Sequence, residues 1–441
     1  MNDNISLFYY EKKLAYIFAI LSLLFITAFI IYNIRYKQAF SLKNRIPNYS
    51  NAVIGVNLRN IESYFLIDFL KNPLSYTTKK SKENLYKELI AQLKIPSSIL
   101  FHSTNQQWNT TWYSEKITIK NPQELQKTLQ RIQFNKLIKN EITFYTKNQW
   151  CIGIHENQAI IAASTEDFKA IFTTITNFLT SVDFLTEENT LFKELLKIGT
   201  NDFFFANDSK SYAFGNFNKG NFNIHGVLHD NILQKSTRNL LKPSGNSAAF
   251  GYACFNKQHS LLQKIKLQKG IRLKGMSIDS IFNKWNGVLS FNIINIAQKA
   301  DSIINYEYDA DFNKKKIVQL KQRFVPNFHT SLGQNDNELY LYLQRNNYIS
   351  HQNTLKFAYS LPINIVGTPN KITFGTDMAI QHMNTLSSNL IAELYIDFKK
   401  SRILMNSPLK SIDFKLQNDS YFTASLYSNT DRNMLCQLLT Y

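Results

Sequence analysis

The chain has 441 residues, with 50 Lys and Arg against 32 Asp and Glu and a formal charge of +18. At ~100–200 residues per domain this length holds two or three domains with cores of their own. Its 44% apolar and 19% charged content excludes a wholly disordered chain, a collagen-like repeat and a polytopic membrane protein. Only 14 glycines stand beside 33 Phe and 23 Tyr, so phosphate-cradling loops have few places to form and strands have many.

After a short flank, residues 1–13, the uncharged run 14–34 (LAYIFAILSLLFITAFIIYNI) is long enough to cover the roughly 30 Å hydrocarbon core of a bilayer as a helix. Phe8, Tyr9 and Tyr10 before it and Tyr32 and Tyr36 after it suit the aromatic belts of the two interfaces. A cleaved signal peptide has a core of only ~7–15 residues and ends in small residues, whereas this run ends in Ile30, Ile31 and Tyr32. The sequence therefore predicts a retained transmembrane anchor. Lys12 and Lys13 lie on one side, and Arg35, Lys37, Lys43 and Arg45 on the other. Flanking charge alone does not set orientation, and a long domain translocates largely regardless of it. The strand-rich, asparagine-rich remainder places the large domain outside the cytoplasm, in the periplasm beyond a single pass through the inner membrane.

The first module is expected over residues 46–240. Segment 51–57 (NAVIGVN) alternates as a strand does, and 61–70 and 81–93 have helical spacing, the second with Ser81 as cap and Pro96 beyond its end. Strands follow near 97–102, 108–113 and 116–119. A helix begins at Pro122 with Asn121 as its cap. Strands 142–146, 150–156 and 158–164 lead to a helix over 165–179. Residues 202–228, broken at Gly215 and at the Asn218-Lys219-Gly220 turn, predict an antiparallel meander.

A second module, 241–441, echoes this order. Strand 246–255 parallels NAVIGVN, the 278–285 segment follows, and strands are expected at 287–296 and 302–311. Residues 313–323 (NKKKIVQLKQR) occupy the place of the Pro122 helix, and 338–345, 354–361 and 371–377 read as strands. Strands 390–398, 411–419 and 421–428 and a helix over 431–439 close the chain. The fold class expected is α+β: an N-terminal transmembrane helix, then two related α+β modules with mainly antiparallel sheets.

Three segments carry a resemblance: residues 50–57 (SNAVIGVN), 285–291 (WNGVLSF) and 429–435 (NTDRNML). With the N-terminal span and the internal duplication, the chain resembles uncharacterised single-pass envelope proteins of Bacteroidota-type bacteria that carry a duplicated α+β ectodomain. The resemblance implies location and architecture and brings no activity.

Chemical motifs are few. Cys151, Cys254 and Cys436 are far apart, odd in number and set among apolar neighbours, as free core cysteines are. His225 and His229 have metal-ligand spacing but sit in a strand-like run without a metalloprotease glutamate. His155-Glu156 and Asp336-Asn337-Glu338 read as strand-end and turn groups. No Gly-x-Ser-x-Gly elbow is present, Ser244–Ser247 reads as a turn, and Gly367-Thr368-Pro369-Asn370-Lys371 reads as a hairpin turn rather than a phosphate loop. No catalytic, cofactor or metal residue is assigned.

The remaining feature is basic. Lys257, Lys264, Lys266, Lys269, Arg272 and Lys274 form a run without Asp or Glu, and Lys314, Lys315 and Lys316 form a second cluster. Such a field suits an anionic partner, a lipid headgroup or acidic polysaccharide, or else marks a solvated face. Nucleic acid is not expected, because no nucleic-acid motif is present. The function expected is that of a membrane-anchored, extracytoplasmic binding or scaffolding protein of the bacterial cell envelope, without catalysis. The alternatives are an envelope hydrolase acting on glycan or peptide, and a partner-dependent subunit of an envelope complex marked by an exposed Phe and Tyr patch.

Overall fold

The structure is a computed structural model. It describes residues 26–27, 40–77, 85–104, 111–139, 141–165, 168–180, 183–229, 231–235, 240–241, 247–260, 262–263, 272–273, 276–308, 311–356, 362–376, 385–386, 390–401, 408–417 and 420–440. The described residues fall into two compact units, one within residues 1–216 and one within 217–439.

In the first unit, β1 (Ala52–Val56) leads into α1 (Leu58–Lys71), then β2 (Ile99–Ser103), β3 (Thr111–Ser114), β4 (Ile117–Ile119) and α2 (Pro122–Arg131). Strands β5 (Asn135–Lys139), β6 (Ile142–Lys147), β7 (Trp150–His155) and β8 (Gln158–Ser164) precede α3 (Phe168–Thr180) and α4 (Thr190–Ile198). Strands β9 (Phe203–Asn207) and β10 (Tyr212–Phe217) complete it. All pairings are antiparallel, in the order β10-β9-β1-β2-β3-β8-β7-β6-β5. The Asn121 side chain accepts a hydrogen bond from Glu124 N, and Pro122 takes the first turn of α2, as expected of a helix start.

Strands β6 to β8 are covered on both faces. Phe144, Cys151 and Ile160 pack on Ile171, Ile175 and Phe178 of α3. The alternate residues Tyr145, Ile152 and Ile154 pack on Leu125 and Leu129 of α2. Burial on both faces accounts for the nearly continuous apolar runs of β7 and β8.

The second unit contains β11 (Asn221–Val227), β12 (Ala249–Cys254), α5 (Ile278–Lys284), β13 (Trp285–Tyr308), β14 (Lys314–Gln334), α6 (Glu338–Arg345), β15 (Asn364–Thr368), β16 (Lys371–Gly375), β17 (Leu390–Asp397), β18 (Leu409–Gln417), β19 (Tyr421–Ser428) and α7 (Met434–Thr440). Its antiparallel order is β11-β19-β18-β17-β12-β13-β14-β16-β15. The pairing scheme repeats between units: β1 lies between β9 and β2, and β12 lies between β17 and β13. The β7–β8 hairpin pairs through β8 with β3, and the β15–β16 hairpin pairs through β16 with β14. Thr368 faces Lys371 across a two-residue turn, so the 367–371 segment is a hairpin.

The expected fold class is corrected in one part. The α+β class with antiparallel sheets agrees with the structure, but among the described residues no helix is long and apolar enough to cross a membrane. The longest of those, α1, has 14 residues and carries Arg59, Glu62, Asp68 and Lys71. It spans ~21 Å, short of the roughly 30 Å required. Residues 14–34, where the span was expected, lie outside the described residues except for Ile26 and Thr27.

Two further expectations are reversed. Of residues 313–323, Lys314 to Arg323 are strand, part of β14, because they pair along their length with β13. Residues 338–345 are helix α6, which follows β14 as α2 follows β3 and β4. Leu339 and Leu343, four apart, turn one face of α6 onto Ile349, Ile365 and Ile372.

Candidate binding surface on the β13–β14 ribbon

Strand β13 leaves its other neighbour early, pairing with β12 only from Val288 to Ile293. Strand β14 pairs with β16 only from His329 to Gly333. Beyond those contacts β13 and β14 pair with each other, from Ala297 opposite Val325 to Tyr308 opposite Lys314. At ~3.3 Å per residue this two-stranded ribbon extends roughly 40 Å. Its base is fixed: Val325 is buried, Thr376 Oγ1 accepts from Phe328 N at 3.1 Å, and Trp285 Nε1 donates to Val288 O at 2.6 Å.

Residues opposite each other in an antiparallel pair share a face, and successive residues alternate. One face of the ribbon therefore carries Ile304 with Val318, Ser302 with Leu320, Gln298 with Phe324, Tyr306 with Lys316, and Tyr308 with Lys314. The other carries Asn305 with Ile317 and Glu307 with Lys315, together with Gln319 and Lys321. The first face is mainly apolar and the second mainly polar, yet Ile304, Val318, Leu320, Phe324, Tyr306 and Tyr308 are all exposed, Leu320 by 75%. Phe312, in the turn segment with φ 61, is exposed by 85%.

Local contacts hold the ribbon in register. Asn305 Nδ2 donates to Gln319 Oε1 at 3.1 Å on the polar face, and Gln298 Nε2 donates to Gln322 Oε1 on the other. The Lys314 ammonium lies 4.2 Å from the centroid of the Tyr306 ring, within cation–π range. An isolated two-stranded ribbon is marginal in water. This one also leaves on the solvent side apolar side chains whose full burial is worth ~1.5–3 kcal/mol each.

The described basic residues singled out in sequence lie on different segments of the second unit. Lys314, Lys315 and Lys316 sit at the far end of the ribbon, exposed and alternating between its faces. Lys257 is engaged elsewhere: its ammonium donates to Asn283 O at 3.1 Å and Trp285 O at 2.5 Å and lies over the Phe282 ring. It thereby neutralises the carbonyl end of α5. Arg272 lies in a two-residue strand paired with Met276 and Ser277. Lys264, Lys266, Lys269 and Lys274 lie outside the described residues.

The other weighed residues have local roles. His225 Nδ1 is 3.0 Å from Tyr421 Oη across the β11–β19 pair. Cys151, Cys254 and Cys436 are buried and outside any disulfide, and burial pushes the Cys151 thiol up to about 12. Among the described residues no group of three His, Cys, Asp or Glu side chains could hold a metal ion. The apolar face of the ribbon escaped sequence reasoning. Its signal was the even-numbered series Ile304, Tyr306, Tyr308 against Val318 and Leu320, which emerges only once the pairing register is known.

No protein-family model matches the chain, and no curated protein matches it. Two structures of TP0453, crystal forms I and IV, are similar at 8% and 6% identity. They align with 80% and 75% of this chain and 95% and 92% of the TP0453 chain, each with a TM-score of 0.23.

Proposed function

We propose that this chain is a non-enzymatic binding or scaffolding protein of the cell envelope that recognises an anionic partner through the β13–β14 ribbon. The observation that carries the proposal is the run Lys314, Lys315 and Lys316 at the ribbon's far end, where all three side chains are exposed. Alternation along β14 presents Lys314 and Lys316 on one face and Lys315 on the other, so cationic charge is offered on both sides of a thin element. Like charges held together raise the local potential and attract a polyanion, with an attraction that salt weakens.

The test is binding of the full chain to immobilised dextran sulfate over a range of salt concentrations. Wild type binds at low salt and is released as salt rises. The Lys314→Glu, Lys315→Glu, Lys316→Glu triple variant is expected to lose at least about tenfold in affinity, in line with roughly 1 kcal/mol per surface cation. Equal retention of wild type and variant would remove the ribbon from the anion-binding role.

A further inference from the structure

We propose, resting on the anion-binding role given above, that the partner is an anionic lipid bilayer and that the apolar face of the ribbon enters its interfacial layer. Three observations select lipid. The first is the amphipathic register: Ile304, Val318, Leu320 and Phe324 are exposed on one face of a two-stranded element, with mainly polar side chains on the reverse. A surface of this kind lies in the plane of a membrane interface with its apolar side down, by the same physics as an interfacial amphipathic helix.

The second is the position of the cations. Lys314 and Lys316 share the apolar face, next to Tyr308 and Tyr306. Lysine is depleted in the cores of protein–protein interfaces, and a second copy stacked tip to tip on this face would set lysines against lysines. At a bilayer the same lysines lay their stems on acyl chains and reach phosphate with their ammonium groups. The third is the aromatic end. Tyr306, Tyr308 and Phe312 gather where the lysines are, and tyrosine is enriched at the headgroup level of membranes. A soluble acidic polysaccharide would use the lysines and leave Ile304, Val318 and Leu320 in water.

The experiment uses the full chain with three sets of probes: phosphatidylcholine vesicles, phosphatidylcholine vesicles containing phosphatidylglycerol, and dextran sulfate. The expected result is flotation with the phosphatidylglycerol vesicles and not with phosphatidylcholine alone. Leu320→Asn with Phe324→Asn, which removes apolar surface without adding charge, is expected to weaken that flotation at least tenfold while leaving dextran sulfate binding unchanged. Both side chains are exposed, so these substitutions leave the core intact. An environment-sensitive dye on Leu320→Cys reports directly, because the three native thiols are buried. Its emission shifts to the blue with phosphatidylglycerol vesicles and not with dextran sulfate. Flotation insensitive to the two asparagines, with no dye shift, would overturn lipid entry while the anion-binding role stood. Failure of the wild-type chain to bind either dextran sulfate or the phosphatidylglycerol vesicles would overturn both.

Discussion

Lys314 Nζ lies 4.2 Å from the centroid of the Tyr306 ring, diagonally across the β13–β14 ribbon and on the face that also carries Ile304, Val318 and Leu320. One contact thus joins the cationic and the apolar character of the surface. The tyrosine fixes where the ammonium sits, and the neighbouring aliphatic side chains make that position the edge of an apolar band.

The root of the ribbon depends on a glycine. Gly287 has φ +101, and a Cβ there would run into the Phe255 carbonyl oxygen, while Phe255 N donates to Gly287 O at 2.8 Å. Gly287→Ala is expected to cost about 1–3 kcal/mol through the left-handed backbone, with more from the backbone clash. Denaturant unfolding of the full chain checks it, and an unchanged midpoint would show that the strand can bypass the contact.

In the first unit, Arg45 holds Glu115 in a two-pronged pair, Nε to Oε2 at 2.6 Å and Nη2 to Oε1 at 2.7 Å. Ser98 Oγ accepts from Arg45 Nη1, and Leu100 N donates to Glu115 Oε1. Burial pushes the Glu115 carboxyl up, against the pull of Arg45. Removing one member strands the other, so Arg45→Ala is expected to destabilise the unit by ~3–5 kcal/mol. Arg45→Lys should restore only part of that, since an ammonium cannot make the forked contact. The checks are the denaturation midpoints of the two variants against wild type.

His102 sets an acid limit. Both ring nitrogens are buried without a hydrogen-bond partner. The ring stacks on Tyr113, centroids 5.6 Å apart, and meets Phe178 edge-on at 4.9 Å. The Lys116 ammonium lies over the same Phe178 ring. Burial lowers the imidazole to about 3 from 6.5, so the unfolded chain binds a proton that the folded chain refuses. The resulting stability is fully present above pH 6.5 and is lost as pH falls from there toward 3. By pH 4 the loss attributable to His102 is about 3 kcal/mol. His102→Phe forfeits no hydrogen bond, so it should remove that share of the acid sensitivity and change little at pH 7. Stability curves for both proteins at pH 7 and pH 4 decide it; equal slopes would contradict the assignment.

Local signals in the sequence are legible where local chemistry governs. Asn121-Pro122 starts a helix because a side-chain cap and a fixed φ act within one turn. The 367–371 turn is legible because two residues close it. The ribbon is different. Ile317, Val318, Leu320 and Phe324 fall at spacings that also suit a helix face, and only pairing with 297–308 makes that stretch a strand. In α6 the Leu-Tyr-Leu-Tyr-Leu alternation suggests a strand, while Leu339 and Leu343 at helical spacing reach the core. Arg45, counted in sequence among charges flanking a membrane span, turns out to be bound to Glu115 seventy residues away. Such long-range partners carry no mark in the sequence.

The most direct test of the ribbon's role is its removal. Ala297 and Val325 face each other where the two-stranded part begins, so replacing residues 298–324 by an Asn-Gly turn leaves the sheet pairings of β12, β13, β14 and β16 in place. Dextran sulfate binding of this shortened chain is then compared with wild type, with circular dichroism and thermal unfolding confirming that the sheet persists. The expected result is a folded protein that no longer binds the polyanion. A folded protein that binds as tightly as wild type would contradict the assignment of the β13–β14 ribbon as the binding surface.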